Sequence, residues 1–277
     1  MKRLLVFLLL LQIFLVYSQN DRFIYEVHYK KDSTNVETVK ENYNLDVNPE
    51  GITYYNRIYY INDSIYNSTK HYGFKGYRLT SFLSHKNKNS FYENYEYIGD
   101  VNFYKIDEPV NMQWKILDST KSINELKLQK AETNFGGRKW VAWFAQEIPI
   151  SYGPYKFNGL PGLIVELYDT KKNYIFKLIK NEKIPKNYES FTLSGIKAKA
   201  IITNYKKLNN LKLELYQSPF KYVFNGGLSI PEGKKLQLED GTILTKEQLK
   251  PAEKNEKIKI KSFNNPLELD KAIIYPN

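Results

Sequence analysis

The sequence predicts a mainly β protein, and three observations carry that expectation. Apolar and polar residues alternate with period two along most of the chain, 24 Tyr and 15 Phe are spread through those runs, and helical spacing is convincing in only one place. Alternation marks a half-buried strand, and aromatic side chains suit a pleated surface.

The elements follow in order. Lys2 and Arg3, the apolar run Leu4 to Val16 and then Ser18 read as a signal peptide over 1–18, cleaved before Gln19. The apolar run is shorter than the roughly 17–25 residues a spanning helix needs, so no transmembrane span is expected after cleavage. Phe23, Tyr25, Val27 and Tyr29 alternate with Ile24, Glu26, His28 and Lys30 as the first strand. Asn48-Pro49-Glu50-Gly51 reads as a turn and Ile52 to Ile61 as a Tyr-rich strand. Tyr77 to Ser84, Phe91 to Ile98, Val101 to Ile106 and Met112 to Leu117 are further strands, with Gly99-Asp100 as a hairpin turn. Glu125 to Thr133 and Arg138 to Ile148 form a hairpin closed by Asn134 to Gly137; Leu163 to Tyr168 and Tyr174 to Lys180 form the next.

Leu208, Leu211 and Leu215 share one face of a helix over Asn204 to Gln217, which Pro219 ends. Thr245 to Lys250 reads as a short second helix, and most of Lys246 to Lys261 as an exposed charged excursion. Short turns between successive strands favour an antiparallel meander, because parallel pairs need long crossovers. The expected fold is therefore a meander forming a strongly curved open sheet or half-barrel, with one or two helices in the C-terminal third. By analogy alone, that shape is like the half-barrels of periplasmic lipoprotein carriers. Residues 19–277 are expected to form one β-rich domain, since no Pro/Gly/Ser-rich linker divides them.

Composition narrows the chemistry. There is no Cys, so disulfides, thiol nucleophiles and Cys metal sites are excluded. The signal holds two of the 41 basic residues and none of the 30 acidic ones, so a net charge of +11 becomes +9 after cleavage. The lysines are scattered, which reads as a solvated surface rather than a nucleic-acid interface. Neither a G-x-S-x-G elbow, an H-E-x-x-H helix nor a phosphate loop occurs. His28, His71 and His85 lack metal-ligand spacing, and no cofactor is expected.

The segment Asn158 to Glu166 holds Gly159, Leu160, Pro161, Gly162, Leu163 and Ile164 between two apolar runs. Pro161 and Gly162 suit the central positions of a type II turn, Gly162 supplying positive φ. Glu147 and Glu166 lie inside apolar runs beside that turn, and each is expected to face outward or to pair with Arg138 or Lys156. In the alternation, Trp140, Ala142 and Phe144 face one way and Val141, Trp143 and Ala145 the other. One set must be core; the other is expected to be covered too, an exposed patch being the alternative that would mark a partner site. Arg138, Trp143, Glu147, Tyr155 and Phe157 are the candidate ligand or partner contacts.

Several blocks together resemble the GLPGLI family of exported bacterial proteins. They are Trp114-Lys-Ile116 with Lys121, Gln129-Lys-Ala131, Phe135-Gly-Gly-Arg138, Ala142-Trp-Phe144, Glu147-Ile-Pro-Ile150, Gly153-Pro-Tyr-Lys-Phe157, Gly159 to Ile164, and Asn265-Pro-Leu-Glu-Leu269. Leu128 stands where many relatives carry Cys, so a role that needs that thiol cannot apply. The resemblance implies export in Bacteroidetes-type bacteria, often beside outer-membrane TonB-dependent receptors, and brings no catalytic residues. The expectation is a non-enzymatic, periplasmic or surface-associated envelope module that binds an outer-membrane receptor or an apolar ligand. A hydrolase using Glu147 and Glu166, and a protein binding acidic polymers through a basic face, are the alternatives.

Overall fold

The computed structural model describes residues 20–70, 79–186, 188–227, 229–231, 233–238 and 241–276. The signal segment, its cleavage site, His71 and the start of the strand expected from Tyr77 lie outside these residues. Twelve strands form one sheet: β1 (Asn20–Tyr29), β2 (Val39–Asn48), β3 (Gly51–Asn56), β4 (Phe82–Lys86), β5 (Phe91–Tyr97), β6 (Phe103–Pro109), β7 (Lys115–Ile123), β8 (Leu126–Phe135), β9 (Arg138–Ala145), β10 (Leu163–Asp169), β11 (Tyr174–Ile184) and β12 (Ile201–Ile202). Their spatial order is β12-β6-β5-β4-β3-β2-β1-β11-β10-β9-β8-β7. Two series of sequentially paired antiparallel strands, β2 to β6 and β7 to β11, therefore meet on the two sides of β1.

This corrects the expected half-barrel. The sheet is mixed, because β12 runs parallel to β6. It is neither closed nor strongly curled, and β12 and β7 stand at its two edges without pairing to each other. Turn chemistry finds each hairpin but cannot say where the series breaks. β6 and β7 follow one another in sequence without pairing, so the meander is interrupted at Val110 to Trp114. On β7 the register with β8 shifts between Ile116 and Thr120. Such an irregularity blunts a free edge against unwanted pairing.

The Tyr-rich run from Ile52 is not one strand. β3 stops at Asn56, whose Oδ1 accepts from Ile58 N–H at 3.0 Å, and helix α1 (Ile58–Thr69) follows. Helix α2 (Phe191–Lys199) opens with Ser190, whose hydroxyl accepts from Leu193 N–H and donates to Asp63 of α1 at 2.5 Å. Helix α3 (Tyr205–Gln217) forms as its spacing predicts, burying Leu208 and Leu215 under a cap from Asn204. A short α4 (Lys221–Phe224) precedes α5 (Lys246–Ser262), with a small antiparallel pair, β13 (Leu236–Gln237) and β14 (Ile243–Leu244), between them. The charged run expected as an excursion is thus a 17-residue helix, started by the reciprocal capping box of Thr245 and Gln248.

The main core lies on one face of the sheet. Phe23, Tyr25 and Val27 of β1 pack with Leu45, Trp140, Phe144, Leu167 and Phe176. Two residues from the long β9–β10 connection, Phe157 and Leu160, are buried among them, with Trp114 packed alongside. The inner face is filled by the chain itself.

Candidate functional site

The β9–β10 connection, residues 146–162, builds the site. It is a folded loop that doubles back on itself: Gly153 N–H donates to Phe157 O at 2.8 Å and Gly159 N–H to Ser151 O at 2.9 Å. Leu163 N–H then bonds Ile148 O and Ile164 N–H bonds Tyr152 O, seating the loop beside β10. Ile164 O accepts from the buried Tyr25 hydroxyl at 2.6 Å. Tyr155 sits at φ +57°, a left-handed conformation costly for a side chain with Cβ.

The type II turn is corrected here. Gly162 has φ +158°, far from the roughly +80° of that turn. Its glycine is demanded by approach to β9 instead, because a Cβ there would lie 2.2 Å from the carbonyl oxygen of Ala145. Gly159, at φ +93°, supplies the left-handed step one turn earlier. Leu160, Leu163 and Ile164 are buried and Pro161 is exposed.

The loop delivers Lys156 into a closed ring of charges. Lys156 is fully buried and donates to Glu108 Oε2 at 2.7 Å and Glu268 Oε1 at 2.6 Å. Lys271 completes the ring, bonding Glu108 Oε1 and standing 2.6 Å from Glu268 Oε2. Tyr205 of α3 donates to Glu108 and Tyr155 to Glu268, each at 2.5 Å, and Asn94 of β5 donates to Glu108 at 3.0 Å. Two carboxylates and two ammoniums thus cancel, and every oxygen of both carboxylates has a donor. Burial alone would raise the Glu108 pKa, but the charge and hydrogen bond of Lys156, with Lys271 and Tyr205, hold it below the usual glutamate range. Burial likewise pulls Lys271 down, yet its two carboxylate partners raise it above the ordinary lysine value.

A second buried cluster ties the same C-terminal segment to the sheet. Arg138, at the start of β9, donates to Leu267 O at 2.8 Å, and to Asn265 Oδ1 and Pro266 O at 2.6 Å each. Its guanidinium also faces Asp169 at 3.5 Å and lies over the Tyr174 ring. Burial depresses the Arg138 pKa, with Asp169 opposing. Leu269 N–H bonds Gly136 O at 2.7 Å in the β8–β9 turn. Residues 265–271 form a strap across the hairpin tip and the loop.

The residues singled out from sequence therefore separate. Arg138 and Phe157 are buried, and Tyr155 is half-buried against the core. On the opposite face of the sheet Val141 and Ala145 are buried and Trp143 is half-buried, packed against a second core cluster with Leu128 and Val165, so both sets contribute to core. Glu147 is exposed and accepts from Lys127 N–H at 3.2 Å, while Glu166 pairs with Lys121, not with Arg138 or Lys156. The two carboxylates of the hydrolase alternative do not converge. Glu108 and Glu268 converge instead. Asp107-Glu108 reads as a turn before Pro109 but belongs to β6, and only the joint presence of Lys156 and Glu268 in family-like blocks hinted at a pair. His28 bonds Glu26 at 2.7 Å, and His85 stacks on Tyr92 with ring centres 4.5 Å apart. Among the described residues no group of three or more His, Cys, Asp or Glu is placed to hold a metal ion, and no helix is long and apolar enough to cross a membrane.

Residues 97–166 match a Bacteroidetes domain described as a protein of unknown function (Porph_ging). That stretch runs from the end of β5 into β10 and contains Glu108, Arg138, Lys156 and the Gly159 to Ile164 segment. None of the curated proteins matches the chain. Structures of PNGF-II in two crystal forms are similar at 14% identity over 67% of this chain, with TM-scores of 0.47 and 0.46. The chain spans 31% of the length of those PNGF-II chains.

Proposed function

We propose that this chain is an exported cell-envelope protein of the GLPGLI type that works as a non-enzymatic binding or accessory module, in keeping with outer-membrane TonB-dependent receptor systems. The observation that carries the reading is what the family-like blocks do: Arg138 bonds Asn265, and Tyr155 and Lys156 bond Glu268. Their polar groups are consumed in holding loop and strap to the sheet. A general acid or base needs a carboxyl group within reach of substrate and a pKa near working pH. Glu108 has the reverse, a fixed negative charge between two lysines.

The apolar-ligand version of the reading is disfavoured, because Phe157 and Leu160 occupy the inner face where such a ligand would sit. Contact with a partner then falls to the outer surface. The purified protein, screened against generic esterase, phosphatase, glycosidase and peptidase substrates, should show no turnover above background. Its amino terminus, recovered from the envelope fraction, should begin at or near Gln19. Turnover that disappears in a folded Glu108→Gln variant would overturn the non-enzymatic reading, and an intact Met1 in the cytoplasmic fraction would overturn export.

A further inference from the structure

The main helix contacts with the sheet fall on β3 and β6, in its other half, and the outer face of β7 to β11 buries Leu128, Val141 and Ala145 while leaving Lys115, Lys139 and Lys177 exposed. Two lateral rows cross this face in register. One runs Lys130, Trp143, Glu166, Lys177, and the other Lys115, Glu132, Val141, Tyr168, Ile175. Lys121 joins them, its Nζ lying 4.4 Å from the Trp143 ring centre, and Lys172 lies over the Tyr168 ring. Lys139 reaches Glu132 at 3.4 Å. Six lysines, Lys115, Lys121, Lys130, Lys139, Lys172 and Lys177, therefore stand with two glutamates on one surface. Lys115 and Lys177 are exposed, and neither has an ion-pair partner among the described residues.

We propose that this face is a platform for an anionic polysaccharide, a chain bearing carboxylates at regular intervals and laid across β7 to β11. The proposal rests on the reading of the protein as a binding module and supplies its ligand class. Charge complementarity is the first argument: the excess of four cations calls for an acidic ligand. Shape is the second. Strands about 4.8 Å apart give five strands a flat track about 19 Å across, suited to a repeating polymer rather than a compact molecule. Trp143 and Tyr168 stand among the lysines, and the cation–π contacts hold Lys121 and Lys172 in place on their rings. Ile116 and Ile179, at 45% and 50%, are the two large hydrophobic side chains of β7 to β11 that are strongly exposed. That is too little apolar surface to enter a bilayer or to form the dry centre of a protein interface.

The test is calorimetric titration of the purified protein with polygalacturonate, with dextran as the neutral control, at low and high salt. Polygalacturonate should bind, more weakly as salt rises, and dextran should not. Lys115→Glu with Lys177→Glu should weaken binding about ten-fold or more. Lys246→Glu with Lys254→Glu on α5, which changes net charge equally, should leave it unaltered. Absence of polygalacturonate binding, or equal weakening by both double variants, would overturn the platform. So would tighter retention on phosphatidylglycerol vesicles that the Lys115/Lys177 variant abolishes. Such failures leave the binding-module reading standing, because only turnover in the substrate screen removes that.

Discussion

At the residue scale, Gly162 shows how a sequence signature can be right for another reason. Positive φ is present, but the decisive constraint is the Ala145 carbonyl, which leaves no room for Cβ at 2.2 Å. A contact that close to backbone cannot be relieved by turning a flexible side chain. Gly162→Val should therefore lower stability by about 2 kcal/mol or more, combining an unfavourable φ with a forced shift between β9 and β10. Thermal unfolding of the variant checks this directly. A melting temperature equal to that of the parent would mean that the loop does not hold this approach in solution.

At the scale of elements, the ring of Lys156, Glu108, Lys271 and Glu268 joins β6, the β9–β10 loop and the C-terminal strap. Its pH dependence follows from the two groups with shifted values. The Glu108 pKa is depressed in the folded state, so its contribution is present above the ordinary glutamate value of 4.5 and is lost as pH falls through the folded value. The Lys271 pKa is raised, so its contribution is present below the ordinary lysine value of 10.5 and is lost as pH rises through the folded value. Stability measured by urea unfolding should thus decline on the acid side below about pH 4.5. Glu108→Gln should flatten that decline. An unchanged acid limb in Glu108→Gln would show that other carboxylates set it.

The same elements explain what could be read in advance. Hairpins closed by Gly99-Asp100, Gly136-Gly137 and Asp169 to Asn173 were legible because turn residues and alternation agree there. β2 was not, since Lys40, Glu41, Asn42 and Asn44 dilute the alternation of Tyr43, Leu45 and Val47. Ile52 to Ile61 failed for a different reason: a short apolar Tyr-rich run fits strand and helix alike, and the Asn56 side chain turns the chain out of β3 by accepting from Ile58 N–H. The ring was illegible because its members come from positions as far apart as 108 and 271, and no local period links them. Lys156 and Glu268 stood inside recognisable blocks, but only the tertiary fold brings them together.

At the scale of the whole molecule, the two faces of the sheet differ. The inner face, with loop and strap, is packed to hold the fold, and the outer face of β7 to β11 is the one proposed for contact. The central claim is that the convergent carboxylates are structural, and a double-mutant cycle on Lys156 and Glu268 tests it most directly. Removing one partner of a buried ion pair leaves an uncompensated charge, whereas removing both restores neutrality. Lys156→Met and Glu268→Met should each cost about 3–5 kcal/mol in urea unfolding, while the double variant should cost far less than their sum. A site kept for chemistry behaves the other way, because strained catalytic groups are often replaced with a gain in stability. Single variants as stable as the parent, or more so, would contradict the account.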